Sequence, residues 1–85
     1  MKTVYKYLFD PFDTPIELPE GAEILHVAEQ HGDVCMWALV NPENDHVVRK
    51  FEIYGTGHTI DEERQKSFIG TVFYKEFVFH IFEVF

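Results

Sequence analysis

Turn residues interrupt this chain at nearly regular intervals, and that spacing limits its fold more than any other feature. Lys2–Phe9 alternates aromatic and β-branched residues with period two, which is typical of a β-strand. Asp10–Asp13 ends that segment, because proline has no donor for a strand ladder and aspartate favours turns. The segments with strand character are Lys2–Phe9, Pro15–Leu18, Ala22–Gln30, Val34–Asn41, His46–Tyr54, Phe68–Tyr74 and Phe77–Phe85.

This pattern predicts an all-β fold, a small antiparallel β-sandwich or barrel of six to seven strands with at most one short helix. At 85 residues the chain fits a single all-β domain, 1–85. Asp61–Lys66 is the only plausible helical stretch, and it would make about one to two turns. Ala22–Gln30 also contains good helix formers. It is short, however, and Gln30–Asp33 is typical of a hairpin turn, so we predict a strand there.

Three segments predict details of the packing. Val34–Asn41 is apolar on both faces, which indicates an interior strand with Trp37 and Leu39 in the core. Pro15–Leu18 is flanked by prolines and is expected at a sheet edge. Gly70 indicates a bulge or a close approach within its strand.

The charge of the chain disfavours several partners. The net charge is −8 with histidine neutral, so the surface repels nucleic acid and anionic membranes. An acidic protein can imitate DNA, but we favour the simpler interpretation that acidity keeps an aromatic-rich domain in solution. No apolar run approaches the roughly 20 residues of a membrane span, and the N-terminus lacks a signal-peptide pattern. We therefore expect a cytoplasmic protein without direct nucleic-acid binding or membrane association.

Several blocks of the sequence resemble a family of small proteins of unknown function from bacteriophages and bacterial genomes. The resemblance covers nearly the whole chain and is carried by Trp37–Pro42, Ile53–His58 and Phe68–Val72, of which Trp37–Val40 and Ile53–His58 are the specific parts. It implies a phage or prophage setting, in the host cytoplasm. It implies no activity.

The block Tyr54, Gly55, Thr56, Gly57 and His58 is the candidate ligand-binding site. Two glycines allow backbone N–H groups to form a nest for an anion, Thr56 adds a hydroxyl, and His58 adds a donor or base. The block lacks the lysine of a phosphate loop. The alternative is a tight exit from a strand, with His58 capping the turn.

Other catalytic or metal sites are not indicated. The five histidines show no zinc-motif spacing, and His80, among apolar neighbours, is expected to be partly buried with a backbone partner. Cys35 lies in mid-strand, where a thiol is usually inert, and Ser67 has no motif around it. We predict a non-enzymatic protein without cofactor or metal.

The last segment predicts self-association. It is apolar on both faces, and Phe77, Phe79, Ile81 and Phe82 are the candidate interface of a homodimer. The competing explanation is that this strand lies centrally in a sandwich. Two function classes remain: an interaction protein, such as a phage factor that inhibits a host or defence protein, and a small-ligand binder that holds a nucleotide or metabolite at residues 54–58.

Overall fold

The computed structural model describes residues 1–9, 12 and 15–85, and it confirms the all-β prediction. The described residues contain no helix. The strands are β1 (Thr3–Leu8), β2 (Ile16–Pro19), β3 (Glu23–Gln30), β4 (Asp33–Val40), β5 (His46–Gly55), β6 (Lys66–Tyr74) and β7 (Phe77–Val84). Apart from Phe12, the predicted break at Asp10–Asp13 lies outside the described residues.

The strands form two antiparallel sheets that pack as a small sandwich. The three-stranded sheet has the order β1-β4-β3, and the four-stranded sheet has the order β2-β5-β7-β6. β2 therefore lies at an edge, as its flanking prolines predict. β7 lies between β5 and β6, so the C-terminal strand is central, as the competing explanation expects.

Two tight hairpins connect neighbouring strands. His31 and Gly32 link β3 to β4, and both have positive φ, at 53° and 85°. Lys75 and Glu76 link β6 to β7, and Lys75 also has positive φ, at 56°. Positive φ at a hairpin turn matches the right-handed twist of the strands. The first hairpin was expected at Gln30–Asp33, and the second falls in the two-residue gap between the predicted strand segments Phe68–Tyr74 and Phe77–Phe85. The strand at Ala22–Gln30 is confirmed from Glu23 onward.

The core lies between the sheets and depends on period two. Along β4, Val34, Met36, Ala38 and Val40 face inward and are buried. Trp37 lies on the opposite, outward face and is only half-buried, as is Leu39. The prediction that these two residues fill the core is wrong, because a two-layer sandwich buries one face of each sheet and turns the other outward.

Side chains of the same sheet cover the middle of that outward face. Lys6 Nζ on β1 donates to Gln30 Oε1 on β3 at 2.8 Å, so this bridge spans the central strand. Cys35 lies on the same face with 1% of its surface exposed, and burial raises the pKa of its thiol. A buried thiol of raised pKa is unreactive.

Gly70 joins the two sheets at one side of the sandwich. The β6–β7 register shifts between Phe68 and Gly70, which marks the predicted bulge. A Cβ atom at Gly70 would lie 2.6 Å from Val27 Cγ2 on β3, so the predicted close approach is also present. β3 and β6 can approach because residue 70 has no side chain.

Asp61–Lys66, the one stretch considered for a short helix, is not helical, which agrees with the prediction of at most one. Residues 63 and 64 form a bend, and Lys66 already belongs to β6. The Glu63 N–H donates to Asp61 Oδ1 at 2.9 Å, a local bond that competes with helix formation. Pairing of Lys66 with Val84 on β7 extends the strand instead.

Candidate functional site

The Gly-Thr-Gly-His block forms a tight turn at the end of β5. The His58 N–H donates to the Gly55 carbonyl at 3.1 Å, and the Gly55 N–H donates to His58 Nδ1 at 3.3 Å. Gly57 has φ of 86°, a conformation that glycine adopts without strain. A Cβ at Gly55 would lie 2.8 Å from the His58 ring, so glycine is needed for the ring to fold back. This geometry is the histidine-capped turn that the sequence left as the alternative.

Thr56 connects the turn to β7 and forms a hydrogen-bonded cluster with His80 and Thr71. Its N–H donates to the Val78 carbonyl at 3.2 Å, and its hydroxyl lies 2.8 Å from His80 Nε2. The Thr71 hydroxyl lies 3.0 Å from His80 Nδ1. His80 thus has two side-chain hydroxyl partners rather than the backbone partner we expected. Nothing in the residue spacing indicates this cluster, because it depends on the register that places Thr71 opposite His80.

An open groove of about 440 Å³ lies between this turn and the β6–β7 hairpin. Gly55, Thr56 and His58 form its polar side, and Phe77 and Phe79 form its apolar side. The structure therefore brings three of the five candidate ligand residues to one groove, while Gly57 forms the turn beside them.

Tyr54, the remaining candidate, belongs to a different cluster. Its hydroxyl donates to Glu52 Oε1 at 2.5 Å, and the same carboxylate contacts Lys66 Nζ at 3.1 Å and Arg64 Nη2 at 3.6 Å. The Tyr54 hydrogen bond, more than the two cations, lowers the pKa of Glu52. In return, the hydrogen bond to Glu52 raises the pKa of Tyr54.

Beside this cluster lies a set of aromatic rings on the outward face of β5, β6 and β7, which we call the aromatic face. It consists of Tyr54, Phe68, Phe73 and Phe82. Phe82 contacts Tyr54 and Phe68 edge-to-face, with ring centroids 5.9 and 5.5 Å apart. Phe68 is 59% exposed and Phe73 is 74% exposed. These are large apolar side chains left in contact with water.

The candidate interface residues divide between the two faces of β7. Ile81 has no exposed surface, and Phe79 packs against the core. Phe77 is 62% exposed at the start of the strand, and Phe82 is half-buried in the aromatic face. Ile81 thus offers no surface to a partner, whereas Phe77, Phe82 and the groove-lining Phe79 do.

Phe68 and Phe73 are the residues that sequence reasoning missed. Five positions separate them, so strict alternation would place them on opposite faces. The bulge between Phe68 and Gly70 restores them to one face. A glycine inside a strand was the only signal of that change.

An ion pair between the partly buried Arg49 and the buried Glu83 supports the same sheet from the core side. Arg49 Nε and Nη2 donate to the two oxygens of Glu83 at 2.6 and 2.8 Å, and Nη1 donates to the Ala22 carbonyl at 2.6 Å. Glu83 is 5% exposed, and its hydrogen bond raises the pKa of Arg49. This bidentate geometry satisfies the buried carboxylate.

The comparisons with known proteins identify a family. The chain belongs to the family described as "Domain of unknown function (DUF7352)", whose family model matches residues 1–85. No curated protein and no solved structure matches the chain. Among the described residues, no helix is long and apolar enough to cross a membrane. The same residues contain no group of three or more His, Cys, Asp or Glu side chains placed to hold a metal ion.

Proposed function

We propose that this chain is a non-enzymatic interaction protein that binds another protein through its aromatic face. The observation that carries this proposal is the exposure of Phe68 and Phe73, at 59% and 74%. Fully burying a phenylalanine side chain stabilises a protein by about 1.5–3 kcal/mol, so exposed rings on one sheet favour a partner that covers them. Aromatic residues are enriched at the centres of protein interfaces.

The resemblance to phage and bacterial proteins supports a host protein as that partner. A small acidic factor that covers a functional surface of a host or defence protein would act in the host cytoplasm as an inhibitor. The net charge of −8 disfavours nucleic acid as the partner. Self-association through the same face, which includes Phe82 but not Phe77 on the opposite face of β7, is the homodimeric form of this proposal.

Affinity purification from the host cell tests the proposal when it compares matched variants. We expect the tagged wild-type chain to retain one specific protein and Phe73→Ser to lose it. Leu25→Ser is the matched control, because Leu25 is 48% exposed on a strand of the other sheet. Loss of the partner with both variants, or with neither, would contradict a role for the aromatic face.

A second candidate function is small-ligand binding at the groove beside Gly55. Its volume of about 440 Å³ lies within the roughly 300–1,000 Å³ of ligand pockets, and it combines phenylalanine rings with a polar turn. Because His58 Nδ1 accepts the Gly55 N–H, the neutral ring carries its proton on Nε2 and offers a donor.

A thermal-shift screen against nucleotides and small metabolites tests this second candidate. We expect a ligand that raises the melting temperature of the wild type and fails to raise that of His58→Ala. His31→Ala is the matched control, because His31 lies in the β3–β4 turn outside the groove. A shift that survives in His58→Ala would contradict binding at this turn.

A further inference from the structure

β1 carries an open sheet edge, and the other edge strands carry features that restrict pairing. In the described part of the chain, β1 pairs with β4 alone and in an uninterrupted register from Thr3 to Leu8. β2 is only four residues long and lies between prolines. β3 and β6 each carry a bulge and approach each other at Gly70. Short strands, prolines and bulges are the usual protection of an edge, and β1 has none of them.

The hydrogen-bond pattern shows which groups of β1 face the open edge. The Phe9 N–H donates to the Val34 carbonyl at 2.9 Å, and these residues continue the register of β1 with β4. Bonded and non-bonded pairs alternate in an antiparallel ladder, so residues 3, 5 and 7 also bond to β4. The N–H and C=O groups of Val4, Lys6 and Leu8 therefore point away from β4, in the plane of the sheet, toward the open edge.

Lysine on an edge strand normally resists strand addition by placing a charge in the path of a partner. In β1, Lys6 does not fill this role. Its ammonium group is held over the outward face of the sheet by Gln30 Oε1 at 2.8 Å. Val4, Tyr5 and Leu8 are also 45–49% exposed, so the strand presents an apolar as well as an unpaired surface.

We propose that a second copy of this chain pairs with β1 antiparallel across a two-fold axis at Tyr5. A two-fold axis perpendicular to the sheet keeps each face on its own side, so residue i can pair only with a residue of the same parity. With Tyr5 on the axis, Val4 pairs with Lys6 of the second copy through the N–H and C=O groups at the open edge. The sheet then continues through both copies as β3-β4-β1-β1-β4-β3.

Charge and ring contacts select this register over its neighbour. An axis at Lys6 would place two lysines directly opposite each other, and like charges in that position are destabilising. An axis at Tyr5 instead places Lys6 opposite Val4 and Lys2 opposite Leu8. Tyr5 then faces Tyr5 of the second copy in a non-hydrogen-bonded pair, where side chains are closest and aromatic pairs are favourable.

Disulfide trapping tests the register directly. In a Cys35→Ala background, mild oxidation of Tyr5→Cys should give a covalent dimer, because Cα atoms about 4.5 Å apart allow a disulfide. Val4→Cys is the matched control and should remain monomeric, because its two copies lie diagonally and more than about 7 Å apart. Cross-linking of Lys6→Cys in place of Tyr5→Cys, or of all positions equally, would overturn the proposal.

Proline substitution tests the pairing without relying on cysteine chemistry. Val4→Pro removes an N–H group at the open edge but no hydrogen bond to β4. We therefore expect this variant to sediment as a folded monomer where the wild type is a dimer. Tyr5→Pro removes a bond to β4 and should instead lower the melting temperature. Phe73→Ser should remain dimeric, which separates this edge from the aromatic face. A monomeric wild type at tens of micromolar, or a dimeric Val4→Pro, would overturn the proposal.

Discussion

The two sheets of this sandwich differ in how far the apolar side chains on their outward faces are exposed. On the three-stranded sheet, the residues of the central strand are covered by their own neighbours. Cys35 is 1% exposed, and Trp37 lies half-buried beside His26, with ring centroids 5.9 Å apart. On the four-stranded sheet, Phe73 remains 74% exposed. Apolar residues on an outward face can therefore be structural on one sheet and available for binding on the other.

The difference follows from which side chains can reach across each sheet. Lys6 and Gln30 meet over β4 and cover the middle of the three-stranded face, while Val4 and Leu8 at its β1 edge stay 49% and 45% exposed. On the four-stranded face, Glu52 gathers the long cations Arg64 and Lys66, so their stems do not cover the rings nearer the β6–β7 hairpin. Long charged side chains cover apolar surface with their stems while their charged ends stay hydrated or paired, so the direction in which each stem runs decides what it covers.

The greatest loss of stability is expected from the Arg49–Glu83 ion pair, which supports the four-stranded sheet from the core side. Arg49→Ala leaves the Glu83 carboxylate buried without its partner, and we expect the free energy of unfolding to fall by about 3–5 kcal/mol. The measurement is urea denaturation. The double variant Arg49→Met/Glu83→Leu is the control, because it removes both charges and should recover most of the loss. A loss below about 1 kcal/mol in the single variant would show that the pair contributes little.

The second-largest loss of stability is expected at Trp37, on the outward face of the three-stranded sheet. Trp37→Ala removes a half-buried ring that contacts His26, and we expect a loss of about 2 kcal/mol in the free energy of unfolding, because large-to-small changes remove apolar burial. Denaturant midpoints of wild type and variant measure it. Trp37→Phe, which keeps part of the ring contact, should lose less. An unchanged midpoint in Trp37→Ala would remove the distinction between the two faces.

A smaller effect concerns pH and the carboxylate beside the aromatic face. The pKa of Glu52 is lowered in the folded state below its ordinary value of 4.5. Its stabilising contribution is therefore complete above that value and is lost as the pH falls through the lower, folded-state pKa. Between about pH 5 and pH 3, the melting temperature of the wild type should fall more steeply than that of Glu52→Gln. Parallel curves for the two proteins would contradict this contribution.

The smallest effect on folding is expected at the most exposed ring. Phe73→Ser changes a side chain that is 74% exposed, and its free energy of unfolding should stay within about 0.5 kcal/mol of the wild type. Thermal or urea denaturation of the variant alone is sufficient. A loss comparable to that of Trp37→Ala would mean that Phe73 stabilises the fold and that the two faces do not differ in role.

The sequence could predict what depends on local alternation and turn chemistry. The strands, both tight hairpins and the bulge at Gly70 follow from period two and from residues such as Gly32 and Lys75-Glu76. It could predict the edge position of β2 from its prolines, but not the place of β7 between β5 and β6, because that depends on pairing between distant segments. For this reason β7 was predicted as an interface strand. Trp37 was predicted in the core because alternation alone does not show which of two apolar faces is turned inward.

The site residues also divide into those that depend on local sequence and those that depend on pairing between distant strands. The turn at Gly55 and its histidine cap were accessible as one of two interpretations, because they are local. The Arg49–Glu83 pair and the Thr56–His80–Thr71 cluster join residues on different strands, and their partners were not visible in the spacing. Phe73 was missed because a single extra residue at the bulge changed the face on which it lies.

The two hairpin turns also affect the folding rate of the chain. The β3–β4 and β6–β7 hairpins close over two residues each and can form in about 1–10 μs, whereas β1 and β2 must wait for strands far along the chain. Folding speed falls as the sequence separation of native contacts rises, so the late docking of β1 and β2 is expected to limit the rate, on the millisecond-to-second scale of all-β domains. Until then, both hairpins expose apolar residues, which in the β6–β7 hairpin are mostly phenylalanines. The −8 charge of the chain keeps such intermediates apart.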